Sequence, residues 1–374
     1  MGIYLNPGND AFRQAGNSEI YVDKTRMIEQ TNQVLCTKQK YICFCRPHRF
    51  GKSMAADMLT AYYSWGCDSK DLFSRFRIAG AASFEKHLNR YDVVHIQMAS
   101  CMKNADSMQN LLQSLSEDIT KEIVEAYPDF RMPRYPSLLT VMEHHFDQYK
   151  RPFVFIIDDW ECIIRSKRFT SDELETYLYF LLVLLKDKSY VALAYLTGVL
   201  PVKKLGNQLS LDMFTEVTMT FAAPFAEFTG FTEAEVTELC RKHHCDPEQM
   251  KEWCGGYCVD RSAVYHPYAV VNAVLGGKMQ HIGIAAEARD AIRECIRMNF
   301  RGLREKWKTL LDGERVPINP TKFQNDMSSF CSADDVLTML IHFGYLTYDF
   351  DTKLTWIPNC GSREELVLFI GNNI

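Results

Sequence analysis

The chain has 374 residues, more than one domain usually contains, so we expect two or three domains. Its 47% hydrophobic and 24% charged residues are typical of a globular protein, and its net charge of −5 provides no overall basic field for nucleic acid. We recognise neither a signal segment nor an apolar run near the roughly 20 residues of a membrane span. The thirteen cysteines are irregularly spaced, which favours reduced thiols. We therefore expect a cytoplasmic protein with no membrane partner.

The first predicted strand and the helix after it enclose a candidate phosphate loop. Residues 41–45 form an apolar run typical of a buried strand, and residues 54–63 have apolar side chains at helical spacing. Between them lies Arg-Pro-His-Arg-Phe-Gly-Lys-Ser, residues 46–53. A strand, a loop with Gly-Lys-Ser and a helix in this order are typical of a P-loop, where the helix N-terminus binds phosphate.

Two residues of this loop have predicted roles in binding Mg·ATP. Lys52 would contact the β- and γ-phosphates, and Ser53 would hold Mg²⁺. The full pattern, G-x-x-x-x-G-K-[ST], is incomplete because Arg46 stands at the first glycine position. An ordinary strand–turn–helix, with a solvated Lys52 and with Ser53 as the helix cap, is the alternative interpretation.

The next predicted elements lead to a pair of acidic residues. A second strand is predicted near residues 91–98, and helices are predicted over 107–127 and 137–149. The most apolar strand, residues 152–157, is followed directly by Asp158 and Asp159. An apolar strand that ends in carboxylates, downstream of a Gly-Lys-Ser turn, is typical of a Walker B segment. This assigns Asp158 to Mg²⁺ and Asp159, together with Lys52, to catalysis of hydrolysis. A strand that simply ends in a polar turn is the alternative.

A third buried strand, residues 190–196, follows a predicted helix over 171–186 and ends at Thr197. Thr197 is in position to sense the γ-phosphate, and Lys203 and Lys204 are candidates for charge compensation. A solvated lysine pair is the alternative, and for either lysine alone it is slightly favoured. The predicted nucleotide-binding residues are therefore Arg46, Pro47, His48, Arg49, Phe50, Gly51, Lys52, Ser53, Met54 and Thr197.

The alternation of strands and helices predicts an α/β fold, in which helices cover both faces of a parallel P-loop NTPase sheet. We place this ATPase domain at residues 1–222. Residues 223–284 are predicted to form a helical lid. Residues 285–374 are predicted to form a small winged-helix-like α+β domain, because a capped helix precedes a hairpin near residues 345–357. A small α+β cap that does not read a nucleic-acid groove is the alternative, and the few basic residues of this segment favour it.

Several stretches resemble the AAA-ATPase-like proteins that are common in anaerobic gut bacteria. The stretches that resemble this family run from about residue 4 to residue 359, and they are Tyr21-Val-Asp-Lys-Thr25, Arg46-Pro-His-Arg-Phe-Gly-Lys-Ser53, Ile156-Ile-Asp-Asp-Trp160, Leu196-Thr-Gly-Val-Leu-Pro-Val-Lys-Lys204, Gly230-Phe-Thr-Glu-Ala-Glu-Val236, Trp253-Cys-Gly-Gly-Tyr257, Tyr265-His-Pro267, Gly344-Tyr-Leu346 and Ile357-Pro-Asn359. The resemblance implies an ATP-binding P-loop fold related to STAND and archaeal-type ATPases. It also accounts for Arg46, because the family's loop lacks the first glycine.

The chain departs from the family pattern at several positions. His48 stands where the family usually has Arg, and Asp159 replaces the usual Glu, which bears on hydrolysis more than on binding. The aromatic residue and the carboxylate of a Trp-Tyr-Asp-Gly-Tyr motif are replaced by Cys254 and Gly255, and His266 stands for an Asn. The resemblance also implies a nuclease-like domain of the PD-(D/E)XK type after residue 359. The sequence given has only fifteen further residues, so we expect that domain to be missing and carry over no nuclease function.

Three functional hypotheses follow, in order of preference. The first is Mg-dependent ATP binding, with slow hydrolysis used as a conformational switch. The second is a nucleotide-binding or interaction module that does not hydrolyse, and the third is a nucleic-acid-binding adaptor. A nucleotide and an unidentified protein are the expected partners, and the acidic chain gives nucleic acid little support.

Overall fold

The computed structural model describes residues 2–103, 105–201, 204–205, 209–279, 293–294, 298, 300–323 and 330–370. The chain divides into two compact units. The first comprises Met1–Phe44, Lys52–Gly198 and Lys203–Thr215; the second comprises Cys45–Gly51, Val199–Val202 and Glu216–Ile374. The candidate phosphate loop is thus divided between Gly51 and Lys52.

The main sheet has five strands, β1 (Tyr41–Cys45), β2 (Asp92–Gln97), β3 (Phe153–Asp158), β4 (Val191–Gly198) and β7 (Thr215–Val217). Their order across the sheet is β2-β3-β4-β1-β7. β3 pairs in parallel with both β2 and β4. Every residue of β1, β3 and β4 is buried, as expected of parallel strands that are covered on both faces. The predicted α/β class is confirmed.

The other elements of the first unit are mainly helices. They are α1 (Asp10–Gly16), α2 (Met27–Val34), α3 (Lys52–Tyr63), α4 (Lys70–Ser74), α5 (Phe84–His87), α6 (Met98–Lys103), α7 (Met108–Ala126), α8 (Leu138–Tyr149), α9 (Cys162–Arg165) and α10 (Ser171–Leu185), with a 3-10 turn at Arg77–Gly80 and a short antiparallel pair, β5 (Lys204–Leu205) and β6 (Leu209–Ser210). Helices α7, α8 and α10 begin where the sequence predicts, because the side chains of Ser107, Ser137 and Thr170 accept hydrogen bonds from first-turn N–H groups.

The second unit combines helices with two small antiparallel sheets. Its helices are α11 (Glu233–His243), α12 (Pro247–Cys254), α13 (Pro267–Gly276), α14 (Leu303–Leu311), α15 (Ala333–Phe343) and α16 (Cys360–Ile370), with 3-10 turns at Ala226–Phe228 and Pro320–Lys322. Its strands are β8 (Phe231–Thr232), β9 (Tyr257–Val259), β10 (Ser262–Tyr265), β11 (Val316–Pro317), β12 (Thr347–Asp349) and β13 (Leu354–Trp356). The sheet orders are β8-β10-β9 and β11-β13-β12.

The hairpin of β9 and β10 is an addition to the predicted helical lid. The two strands pair with Val259 opposite Ser262, which leaves a two-residue loop, Asp260-Arg261. Both loop residues have positive φ, 47° and 68°, as a type I′ turn requires. The hairpin could not be predicted from the sequence because its loop lacks the glycine that usually marks such a turn.

The predicted helix and hairpin near the C-terminus are present as α15, β12 and β13, and β12 pairs antiparallel with β13. The proposed domain limits at residues 222 and 284 remain predictions, and the second limit falls among residues outside the described part. No helix among the described residues has the length and apolarity needed to cross a membrane.

Candidate functional site

The C-terminal ends of β3 and β4 bring three of the predicted site residues together. The hydroxyl of Thr197 donates a hydrogen bond to the Asp158 carboxylate. The Thr197 hydroxyl oxygen also accepts a hydrogen bond from the backbone N–H of Asp159 at 3.2 Å. Thr197 and Asp158 are both buried. Thr197 therefore fixes the orientation of the carboxylate that is predicted to hold Mg²⁺.

Lys52 begins helix α3 and is buried close to this group. Burial lowers the pKa of its ammonium, and the carboxylates of Asp159, Glu161 and Asp158 oppose this effect. Arg165 is a further positive charge nearby. The cluster contains three carboxylates (Asp158, Asp159 and Glu161) and two cations (Lys52 and Arg165), so its formal charge is −1. The structure thus brings together the predicted Lys52, Asp158 and Asp159.

Arg165 and Glu161 are site residues that the sequence analysis missed. Arg165 Nη2 lies 3.1 Å from Asp159 Oδ1, and Arg165 Nε lies 3.5 Å from Glu161 Oε1. Both side chains are nearly fully buried, whereas Asp159 is partly exposed. Their spacing, i and i+4 across a short helix directly after the acidic pair, was the available signal. The carboxylate predicted to act on water is therefore held by a buried guanidinium.

Gly198 explains how Glu161 fits beneath the end of β4. A Cβ at this position would lie 2.8 Å from Glu161 Oε2 and 3.3 Å from Trp160 Nε1. Any side chain would therefore displace Glu161. This requirement gives a physical reason for a glycine directly after Thr197.

Two residues directly before α3 adopt left-handed backbone conformations. Arg49 and Gly51 have positive φ, 62° and 90°. The N-terminus of α3 adds the positive end of a helix dipole beside Lys52 and Ser53. Ser53 and Met54 are exposed on the first turn, and the Ser53 hydroxyl makes no hydrogen bond with a described residue. The first turn of α3 therefore presents the Ser53 hydroxyl to solvent.

Several loop side chains pack against other residues of the second unit. The Phe50 ring is buried, with its centroid 5.4 Å from that of Tyr257 and 4.6 Å from that of His266. The Arg49 guanidinium lies 4.2 Å from the centre of the Tyr268 ring. Tyr257 and His266 belong to two stretches that carry the family resemblance, so motifs far apart in sequence meet at Phe50.

Arg46 is fully buried at the first glycine position of the P-loop pattern. Its Nε donates to Thr229 Oγ1 at 2.8 Å, and its Nη1 donates to the carbonyl oxygens of Cys45 at 2.9 Å and Val217 at 3.3 Å. These bonds hold the end of β1. Its predicted contact with nucleotide stays a prediction.

The remaining loop residues and lysine candidates are placed as follows. Pro47 is buried, and a Cβ on Gly344 would lie 2.8 Å from its Cβ. His48 is half-buried. Lys203 and the side chain of Lys204 lie outside the described part of the chain.

The oxygen donors of the site suit Mg²⁺. The Ser53 hydroxyl and the Asp158 carboxylate are hard ligands, and Mg²⁺ usually takes one or two protein oxygens while phosphates and water complete its shell. Among the described residues, no group of three or more His, Cys, Asp or Glu side chains could enclose a metal ion. The available residues therefore fit an ion that is shared with a bound phosphate.

Comparisons with known proteins identify the family. No curated protein matches the chain. The ORC2 protein of Aeropyrum pernix, solved as ADPNP–ADP complexes, is 12% identical, with 99% of this chain and 98% of that chain covered and a TM-score of 0.40. CDC6P of Pyrobaculum aerophilum is 10% identical, with 97% of each chain covered and a TM-score of 0.32. These similarities are too low to support an argument.

A family model described as "Predicted AAA-ATPase" matches residues 8–206, more than half of the sequence. The chain belongs to this predicted AAA-ATPase family.

Proposed function

We propose that the chain binds Mg·ATP at residues 46–54 and hydrolyses it slowly, as a conformational switch. The main support is that Lys52, on the first turn of α3, is buried within electrostatic range of Asp158 and Asp159. A solvated lysine on an ordinary turn would be exposed. A buried cation beside an open helix N-terminus is suited to the β- and γ-phosphates.

Mg²⁺ would be held by Ser53 and Asp158. The ion supplies positive charge that offsets the phosphate oxygens as the terminal phosphoryl group is transferred. Thr197 keeps Asp158 oriented through its hydroxyl. This division of roles leaves Asp159 as the carboxylate next in sequence for orienting a water molecule.

The ion pair between Arg165 and Asp159 favours slow hydrolysis. The Asp159 carboxylate is engaged by the Arg165 guanidinium, with 3.1 Å between Oδ1 and Nη2, so one of its two oxygens is already occupied and fewer acceptor positions are left to orient a water molecule. In addition, the Asp159 side chain is one methylene shorter than that of the Glu that the family usually has at this position. The same pair supports the alternative of a nucleotide-binding module without hydrolysis.

The switch role rests on the contacts of the loop within the second unit. Phe50 packs on Tyr257 and His266, and Arg49 stacks on Tyr268. A phosphate that reorganises the loop backbone would therefore disturb the packing of α13 and β9. This gives the nucleotide a route by which it can favour one arrangement of the second unit over another.

Calorimetric titration of the protein with ATP and Mg²⁺ tests binding. We expect Lys52→Ala to weaken binding about 10- to 100-fold, since a charge-assisted hydrogen bond contributes about 1.5–3 kcal/mol. Lys121→Ala removes the same side chain from an exposed position on α7 and is the matched control. Unchanged affinity in a folded Lys52→Ala protein would contradict the proposal. Parallel titrations with GTP and with EDTA identify the base and the metal dependence.

Phosphate release under steady-state conditions tests hydrolysis separately. We expect a slow rate above background that Asp159→Asn abolishes while ATP binding persists. ATP binding with no release at all would instead favour the module that does not hydrolyse. The assay repeated with DNA, at low and high salt, examines the adaptor hypothesis, which requires DNA binding that falls as salt rises.

A further inference from the structure

A cavity of about 450 Å³ lies in the first unit at the C-terminal end of β2. Its walls come from the N-terminal segment, helix α3, the last residues of β2, and helices α6 and α7. Bulk water occupies about 30 Å³ per molecule, so the cavity is far larger than a single ion needs. Its volume falls within the range of sites for small organic molecules.

His95 provides an unmatched hydrogen-bond acceptor in the cavity wall. The Thr60 hydroxyl donates to the carbonyl oxygen of Ala56 at 2.9 Å and lies 3.2 Å from His95 Nδ1. Because the hydroxyl proton is already used, Nδ1 carries the imidazole proton and donates to Thr60. Burial lowers the pKa of His95, so the ring is neutral at physiological pH and Nε2 bears a lone pair. Nε2 is buried and has no partner among the described residues, and the side chain is more than nine-tenths buried.

Two carboxylates reach the same cavity from different helices. Asp57 lies on α3 and is half-buried, and Asp118 lies on α7 and is exposed. Neither makes a hydrogen bond or an ion pair with a described residue. The described residues that line the cavity include no Lys or Arg. The charged groups of the wall are therefore all negative, and its buried unpartnered ring nitrogen is an acceptor.

We propose that this cavity binds a small organic cation, with ammonium or guanidinium N–H groups that donate to Asp57, to Asp118 and to His95 Nε2. A ligand of this class supplies hydrogen-bond donors to these three groups and the positive charge that the wall lacks. Gln97, Ser100, Asn110 and Ser114, which also line the cavity, can bond the rest of a polar chain. An anion would meet two carboxylates with no lining cation to offset them.

The cavity is electrostatically linked to the proposed nucleotide site. Burial raises the pKa of Asp57 to about 7, and the charge of Asp158 on β3 adds to this effect. The other titratable groups that face the cavity are His95 on β2, Cys101 on α6, Asp118 on α7 and Tyr4 in the N-terminal segment. Burial raises the pKa of both Cys101 and Tyr4, so each is neutral near pH 7. Asp57 is thus the group whose ionisation controls binding in this range.

Titration of the nucleotide-free protein with 1,4-diaminobutane, agmatine and butylamine tests the proposal by calorimetry. We expect binding of the amines, and binding about tenfold tighter at about pH 8 than at about pH 6, because Asp57 changes from mostly protonated to mostly ionised while an aliphatic amine stays charged. Inorganic phosphate and the neutral 1,4-butanediol should not bind. Since nucleotide is absent, failure here is independent of whether the chain binds ATP.

Two variants locate the binding site. Asp57→Asn should weaken amine binding at least tenfold at about pH 8 and remove its pH dependence. Ser114→Trp, at an exposed position of the wall, should fill part of the cavity and weaken amine binding while leaving the buried groups in place. Glu117→Gln removes the same charge from an exposed neighbour on α7 that does not line the cavity, and it should bind as the wild type does.

Three results would overturn the proposal. The first is that the folded wild type binds none of the amines. The second is that amine binding is unchanged in both Asp57→Asn and Ser114→Trp. The third is that 1,4-butanediol binds as tightly as the amines. Binding of Mg²⁺ alone, with full displacement of the amines, would show that a metal ion occupies the cavity instead.

Discussion

The Asp57→Asn substitution tests whether the wall of the cavity carries a destabilised carboxylate. Burial raises the pKa of Asp57 from 3.8 to about 7 in the folded protein. The folded state therefore binds this proton more tightly than the unfolded chain. The stabilisation that results is complete below the unfolded pKa and is lost as pH rises through about 7. Asparagine has nearly the same shape and does not ionise, so the variant lacks this dependence.

The magnitude follows from the separation of the two pKa values. They differ by about 3 pH units, and each unit corresponds to about 1.36 kcal/mol, which sets an upper limit of about 4 kcal/mol. Asp57 is half-buried and retains part of its hydration, so we expect about 1–2 kcal/mol. As pH rises from about 5 to about 8, the wild type should lose this stability and Asp57→Asn should not, so the variant becomes more stable relative to the wild type by this amount. The gain corresponds to roughly 2–8 °C in melting temperature for a unit of this size.

Thermal unfolding followed by circular dichroism at several pH values measures this difference. Asp129→Asn makes the same change at an exposed loop position and should follow the wild type at every pH. The reasoning would be refuted if the difference in melting temperature between the wild type and Asp57→Asn stayed constant from about pH 5 to about pH 8. It would also be refuted if Asp57→Asn became less stable than the wild type at high pH.

Three further substitutions test the packing of the candidate site and of the second unit. Thr197→Val removes the donor to buried Asp158 and should cost about 1–3 kcal/mol in urea unfolding, whereas Thr197→Ser should retain most of the stability. Gly256→Ala places a Cβ 1.8 Å from a backbone carbonyl oxygen at positive φ and should cost well over 2 kcal/mol; Gly277→Ala, also at positive φ but with no atom within 4 Å, should cost only about 1 kcal/mol. Phe50→Ala should cost about 3–5 kcal/mol and weaken ATP binding, and equal stability and affinity in that variant would show that the ring does not support the loop.

The sequence was sufficient for the elements whose pattern is local. The buried strands and the capped helices α7, α8 and α10 follow from apolar periodicity and from single Ser or Thr residues. The proximity of Asp158 and Thr197 follows as well, because neighbouring parallel strands end at one edge of the sheet.

Other features depend on contacts between distant residues and could not be predicted in this way. The i,i+4 spacing of Glu161 and Arg165 was a local signal, but only the fold shows that both side chains are buried and that the Arg165 guanidinium also contacts Asp159. Likewise, nothing local indicates that Arg46 bonds to Thr229. The β9–β10 hairpin was missed for a different reason, since its turn uses two non-glycine residues at positive φ.

The assignment of residues 45–51 to the second unit has a practical consequence for dissecting the protein. A fragment that ends at residue 222, the predicted limit of the ATPase domain, would keep Gly51-Lys52-Ser53 and the acidic strand end. It would lose Thr229 beside Arg46, and Tyr257 and His266 around Phe50. Its loop would then expose a large aromatic ring and a guanidinium without their packing partners. The smallest fragment suited to nucleotide titrations should therefore extend at least through α13.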